Sequence, residues 1–95
     1  MSNSLKVLVV GCGNMGASHA RAYHALEGYE VVGLVARTAS RRTAVAAQVG
    51  NPAEFSDYDT ALAETQPDVV SINTYPDTHA EYAKKAFAIG AHVFL

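Results

Sequence analysis

Cysteine is nearly absent from this 95-residue chain: Cys12 stands alone, which rules out an internal disulfide and suits a reducing, cytoplasmic setting. No pair or cluster of Cys and His has zinc-ligand spacing, so no metal site is expected. Excess charge of one sign is also missing. Seven Lys and Arg stand against nine Asp and Glu, leaving a formal charge of −2, and such a surface has no general attraction for nucleic acid or an anionic membrane. Any charged ligand must be held locally. Long hydrophobic runs are lacking as well. Leu5–Val10 is far too short to cross a membrane, and it leads into a glycine motif rather than a signal-peptide cleavage pattern. With 49% of its residues apolar, the chain reads as a soluble, untargeted domain with one core.

What is present is alternation. Four apolar stretches, Leu5–Val10, Val31–Ala36, Asp68–Asn73 and His92–Leu95, lack strict polar alternation and suit strands buried on both faces. Alanine-rich segments between them, Met15–Leu26, Ser40–Val49, Tyr58–Glu64 and Thr78–Ile89, suit helices. A shorter strand is expected through Glu54 and Phe55. Strand and helix in alternation, joined by short connections, predict βαβ crossovers and an α/β, Rossmann-type doubly wound parallel sheet of order 3-2-1-4-5. Gly50 with Pro52 marks a helix stop, Pro67 precedes a strand, and Gly90 closes the last helix. Thr78 with Glu81 forms a capping-box pattern that places a helix start just after Tyr75-Pro76-Asp77. The chain stops at Leu95, at the end of an apolar run, so it is expected to be the truncated N-terminal domain of a longer protein.

The segment Gly11-Cys12-Gly13-Asn14-Met15-Gly16 sets G-x-G-x-x-G directly between a predicted strand and a predicted helix. Gly11 allows a tight turn, Gly13 lets a pyrophosphate approach the backbone, and Gly16 allows close helix–strand packing. The backbone N–H groups of Asn14 and Met15 open the helix, where free donors and the helix dipole favour an anion. Cys12, with no partner thiol and no base nearby in sequence, reads as a small loop residue rather than a nucleophile.

Dinucleotide folds that select NAD place an acid at the end of the second strand, about 20 residues past the loop. Here that position falls near Ala36. It is followed by Arg37-Thr38-Ala39-Ser40-Arg41-Arg42, with no carboxylate before Glu54. Guanidinium and hydroxyl groups at a helix start suit a 2′-phosphate, so Arg37, Thr38 and Arg41 are candidates to bind NADP in preference to NAD. The competing arrangement has Arg37 stacking on adenine with Arg41 and Arg42 in solvent, leaving NAD usable.

Two pieces, Val10-Gly11-Cys12-Gly13-Asn14-Met15-Gly16 and Asn73-Thr74-Tyr75-Pro76-Asp77-Thr78-His79 with the later Ala86–Val93 stretch, resemble the N-terminal domain of the Gfo/Idh/MocA oxidoreductases. The resemblance covers nearly the whole chain. It implies that Asn73, Thr74 and Tyr75 line a nicotinamide cofactor at the end of the fourth strand, with His79 beside that turn. Family members continue into a Glu-Lys-Pro motif with an active-site lysine and a C-terminal substrate domain, neither of which this sequence contains. Lys84 and Lys85 do not match that motif and are expected on a solvated helix face, so no catalytic residue is assigned.

The resemblance implies hydride transfer between NAD(P) and a sugar, cyclitol or related small-molecule polyol, in a parent protein that assembles as a homo-oligomer. The isolated 95 residues are expected to bind cofactor weakly and turn nothing over. A non-catalytic dinucleotide sensor on the same fold is the alternative. An S-adenosylmethionine binder fits less well, because the Gly11–Gly16 spacing suits a pyrophosphate.

Overall fold

The computed structural model describes residues 4–74 and 76–95, and for Asn14, Pro76 and Asp77 the backbone alone. The run Leu5–Val10 forms strand β1, whose Val7, Leu8, Val9 and Val10 are buried. Apolar side chains on both sides of a strand demand cover on both faces. That cover comes from the alternation that follows: α1 (Asn14–Ala25), β2 (Tyr29–Val35), α2 (Ala39–Gln48), β3 (Ala53–Phe55), α3 (Tyr58–Thr65), β4 (Val69–Ile72), α4 (Pro76–Ala88) and β5 (His92–Phe94). The sheet has the order β3-β2-β1-β4-β5, with every pairing parallel. The expected topology is therefore the observed one.

Each face has its own core. Val7, Val9, Val31 and Leu34 pack with Ala20 of α1 and with Val45 and Ala46 of α2. Leu8, Val10, Val70 and Ile72 pack on the other side with Tyr58, Ala61 and Leu62 of α3 and Ala83 and Ala86 of α4. Val31 and Leu34 share a face although they lie three apart. The β1–β2 register explains this, since Val7 pairs with Val31 but Leu8 pairs with Gly33, inserting Val32 as an extra residue.

Helix ends follow local chemistry. Gly50 and Gly90 take positive φ of 83° and 82° after α2 and α4, and Asn51 N and Ala91 N each donate to a carbonyl in the preceding helix, those of Ala46 and Ala86. Asp57 caps α3 by accepting from Thr60 N at 2.9 Å and Thr60 Oγ1 at 2.7 Å, and these bonds hold its carboxyl below the usual value. The expected capping box at Thr78 is corrected. The fourth helix already begins at Pro76, where a fixed φ and a missing N–H suit the first helical position. Thr78 lies within the helix, its hydroxyl 2.6 Å from that of Thr74.

Candidate functional site

Parallel strands bring the carboxyl ends of β1, β2 and β4 to one edge of the sheet. Between β1 and β4 the connections diverge to opposite sides, the position where open α/β sheets hold their ligands. Three segments meet this edge: the loop after β1, the turn after β2 and the turn after β4.

In the first, Gly11 has φ of 93° and donates its N–H to Val35 O at 2.7 Å. A Cβ on it would stand 2.8 Å from the carbonyl oxygen of Asn73. At Gly16 a Cβ would lie 1.8 Å from Gly11 O, so α1 rests directly on the turn. Gly13 differs from both. It is exposed, and nothing lies within 4 Å of where its Cβ would project, which leaves an open approach to the backbone. Gly13 is also the N-cap residue of α1, where no side chain caps the helix and the first turn holds no acid. Among the described residues no side chain accepts from the N–H groups of Asn14, Met15 and Gly16, which lie at the positive end of the helix dipole. Met15, 68% exposed, puts a large apolar side chain on the rim.

After β2, Thr38 caps α2 without a side-chain bond, and the first turn of α2 again lacks an acid. Arg37 and Arg41 are exposed and make no ion pair or hydrogen bond among the described residues. Arg42 turns inward instead. Its Nη1 donates to Ala36 O at 2.6 Å and Phe55 O at 3.3 Å, and its Nε pairs with Glu54 Oε1 at 3.1 Å. Thr43 Oγ1 donates to the same Glu54 oxygen at 2.8 Å. The nearest carboxylate is thus engaged, and the two flanking guanidiniums are left to solvent.

After β4, Asn73 N donates to Val10 O at 2.8 Å, extending the ladder one residue past the strand. His79 Nε2 lies 2.9 Å from Thr74 O; a carbonyl only accepts, so this nitrogen carries the proton and ties α4 to the turn. Tyr75, expected to line the cofactor, lies outside the described residues.

Cys12 is buried, and burial pushes its thiol above the usual range, with Arg42 lowering and Glu54 raising it. A neutral buried thiol is a poor nucleophile. Lys85 pairs with Asp59 at 2.9 Å and Glu81 at 3.7 Å on the helical surface. Among the described residues no group of three or more His, Cys, Asp or Glu could hold a metal ion, and no helix is long and apolar enough to cross a membrane.

Two site residues were not singled out from the sequence. His19, one turn beyond Gly16 on the same face of α1, places Nδ1 2.7 Å from Asn73 Oδ1. Ser71 is a fully buried polar side chain in β4, and its hydroxyl accepts from Asn73 Nδ2 at 3.1 Å. The i,i+3 spacing from Gly16 was the available signal for His19.

A glycine turn, a helix opening on it without a side-chain cap and a second such helix beside exposed guanidiniums, all at the switch point of a parallel sheet, define a dinucleotide-binding α/β domain. Comparison with known proteins agrees. The chain belongs to the Gfo/Idh/MocA oxidoreductase family with an NAD-binding Rossmann fold, matched over residues 5–95. It is 36% identical over 87 residues to UDP-N-acetylglucosamine 3-dehydrogenase of Acidithiobacillus ferrooxidans, covering 92% of this chain and 26% of that protein. It is 30% identical over 93 residues to D-glucoside 3-dehydrogenase of Escherichia coli, covering 97% and 26%. The solved structure of GenD2 from gentamicin A biosynthesis in complex with NAD superposes with a TM-score of 0.87 at 31% identity, over 98% of this chain and 26% of that one. The chain therefore spans about a quarter of the length of the relatives it matches.

Proposed function

We propose that residues 1–95 form the cofactor-binding domain of an NAD(P)-dependent dehydrogenase acting on a sugar, cyclitol or related CH–OH or carbonyl substrate. The observation that carries this reading is the open space over Gly13 at the uncapped start of α1. A pyrophosphate fits there, since no Cβ obstructs its approach to the first-turn N–H groups and no side chain among the described residues caps them. Gly11, Gly13, Asn14 and Met15 would hold the pyrophosphate, while Asn73, Thr74, Tyr75 and His79 would border the nicotinamide end. When bound, the nicotinamide gives or takes the hydride. The chain's own part is to orient the cofactor and to neutralise its phosphates with backbone donors. The sugar-directed names of the similar dehydrogenases support the substrate class. The substrate would be bound by a second domain of a homo-oligomeric, cytoplasmic parent, and the 95 residues alone would turn over nothing.

Within this reading NADP is preferred to NAD. Ala36 brings no acid to repel a 2′-phosphate, and the side chains of Arg37, Thr38 and Arg41 have no hydrogen-bond partner among the described residues around the start of α2. Calorimetric titration of the chain with NADP and NAD, repeated on Arg37→Ala, tests it. The expected result is tighter NADP binding, with an advantage that shrinks roughly tenfold in the variant, the low end for a charge-assisted bond at an exposed site. Equal binding of both cofactors, unchanged by the substitution, would overturn the preference. Absence of binding by either cofactor to the folded chain would overturn the site.

A further inference from the structure

We infer that His19 is a positioning residue for the cofactor site, acting through Asn73 as a strap between α1 and the end of β4. The inference rests on the dinucleotide reading above. Asn73 Nδ2 donates to Ser71 O at 3.2 Å and to Ser71 Oγ at 3.1 Å. The carbonyl of Ser71 can only accept, so the amide nitrogen must face β4 and the amide oxygen must face α1. That oxygen is the one 2.7 Å from His19 Nδ1. It is itself only an acceptor, so Nδ1 carries a proton. The neutral ring is therefore fixed as the Nδ1–H tautomer, with Nε2 bearing the lone pair.

The position of Asn73 gives this bond its consequence. Its backbone carbonyl closes the space behind Gly11, and its Cβ lies 3.5 Å from where a Cβ on Gly16 would project. Asn73 thus forms the floor under the phosphate loop, and Thr74 follows it directly into the turn that would border the nicotinamide. Orienting Asn73 fixes the offset between the loop, which would hold the pyrophosphate, and that turn. A ligand spanning both segments depends on the offset. A ligand confined to the loop and the start of α2 does not.

The test pairs His19→Ala with His19→Asn, whose amide nitrogen can occupy the place of Nδ1, and reads three quantities on the 95-residue chain. Long-range nitrogen–proton NMR at alkaline pH should show a protonated Nδ1 and an unprotonated Nε2 in the wild type. NADP should bind His19→Ala roughly five- to tenfold more weakly, the worth of one net hydrogen bond, and His19→Asn should recover most of the loss. Binding of the adenosine bisphosphate half of NADP should be the same in all three proteins. Ser71→Ala, which removes one of the two bonds to Asn73 Nδ2, should weaken NADP in the same direction and serves if His19→Ala does not fold. An Nε2–H tautomer, unchanged NADP affinity in folded His19→Ala, or equal loss of both ligands would each overturn the positioning role. If the wild type binds neither ligand, the cofactor reading has failed and the positioning role falls with it, while the tautomer still reports whether the strap exists.

Discussion

Replacing Gly13 with alanine separates what the loop needs in order to fold from what it needs in order to bind. Gly13 has φ of −73°, a value open to any residue, and its added Cβ would have no neighbour within 4 Å. The lower chain entropy of alanine favours the folded state by about 0.4–1 kcal/mol. Alanine is also a poorer N-cap than glycine, by roughly the same amount, so the net change in stability should stay within about 0.5 kcal/mol. The new methyl group instead occupies the approach to the first-turn N–H groups. Losing one hydrogen bond to a charged phosphate costs about 1.5–3 kcal/mol, or roughly ten- to a hundredfold in affinity. Gly16→Ala should do the reverse, because its Cβ would meet Gly11 O at 1.8 Å. The Cβ, fixed by its own backbone, meets a backbone carbonyl there and no rotamer relieves the clash, so overpacking should cost at least about 1–3 kcal/mol of stability. Urea unfolding followed by circular dichroism gives the stabilities, and calorimetry with NADP gives the affinities. A stable Gly13→Ala chain that binds like the wild type would show that the space over Gly13 is not the phosphate approach.

Three further outcomes follow from the side chains around the site. Arg42→Ala removes a side chain only 14% exposed, and with it the bonds to Glu54 and to the carbonyls of Ala36 and Phe55, and should lower stability by about 2–4 kcal/mol in urea melts; Arg42→Lys, lacking the fork, should recover little of it. Cys12, with its thiol pushed up by burial, should resist thiol reagents at neutral pH until the chain unfolds, and rapid labelling of the native chain would contradict this. Tyr58 stacks on Tyr82 at 4.3 Å, donates to Tyr82 O at 2.7 Å and is pushed by burial from 10.0 up to about 12. The neutral form is the one favoured by the fold, so its contribution is complete below the ordinary value and is lost as the pH rises from there through the folded value. Spectrophotometric titration should show Tyr58 ionising at about 12, and urea melts should lose at most about 2–3 kcal/mol across that window.

Much of the fold is legible in the sequence because its signals are local. Val-rich β1 and β4 read as doubly buried strands, and Gly50 and Gly90 mark their helix ends as expected. The glycine turn between β1 and α1 is legible for the same reason: strand, glycines and helix follow one another within a few residues. The start of α4 was misread because two start signals competed, and Pro76 prevailed over the Thr78–Glu81 pattern. The three arginines look equivalent in sequence, yet only Arg42 reaches Glu54, twelve residues on, across the β2–β3 edge. Which guanidinium stays free depends on helix phase and on a distant carboxylate. His19 and Asn73 are separated by 54 positions, so the bond between them becomes visible only once β1 has brought α1 and β4 together.

Whether the loop after β1 holds a dinucleotide is tested most directly by a nitrogen–proton NMR titration of the uniformly labelled chain with NADP and with NAD. Both dinucleotides should shift the amides of Gly13, Asn14, Met15 and Gly16, and NADP alone should add large shifts across Arg37–Arg41. Saturable binding that leaves the Gly13–Gly16 amides unmoved would contradict it.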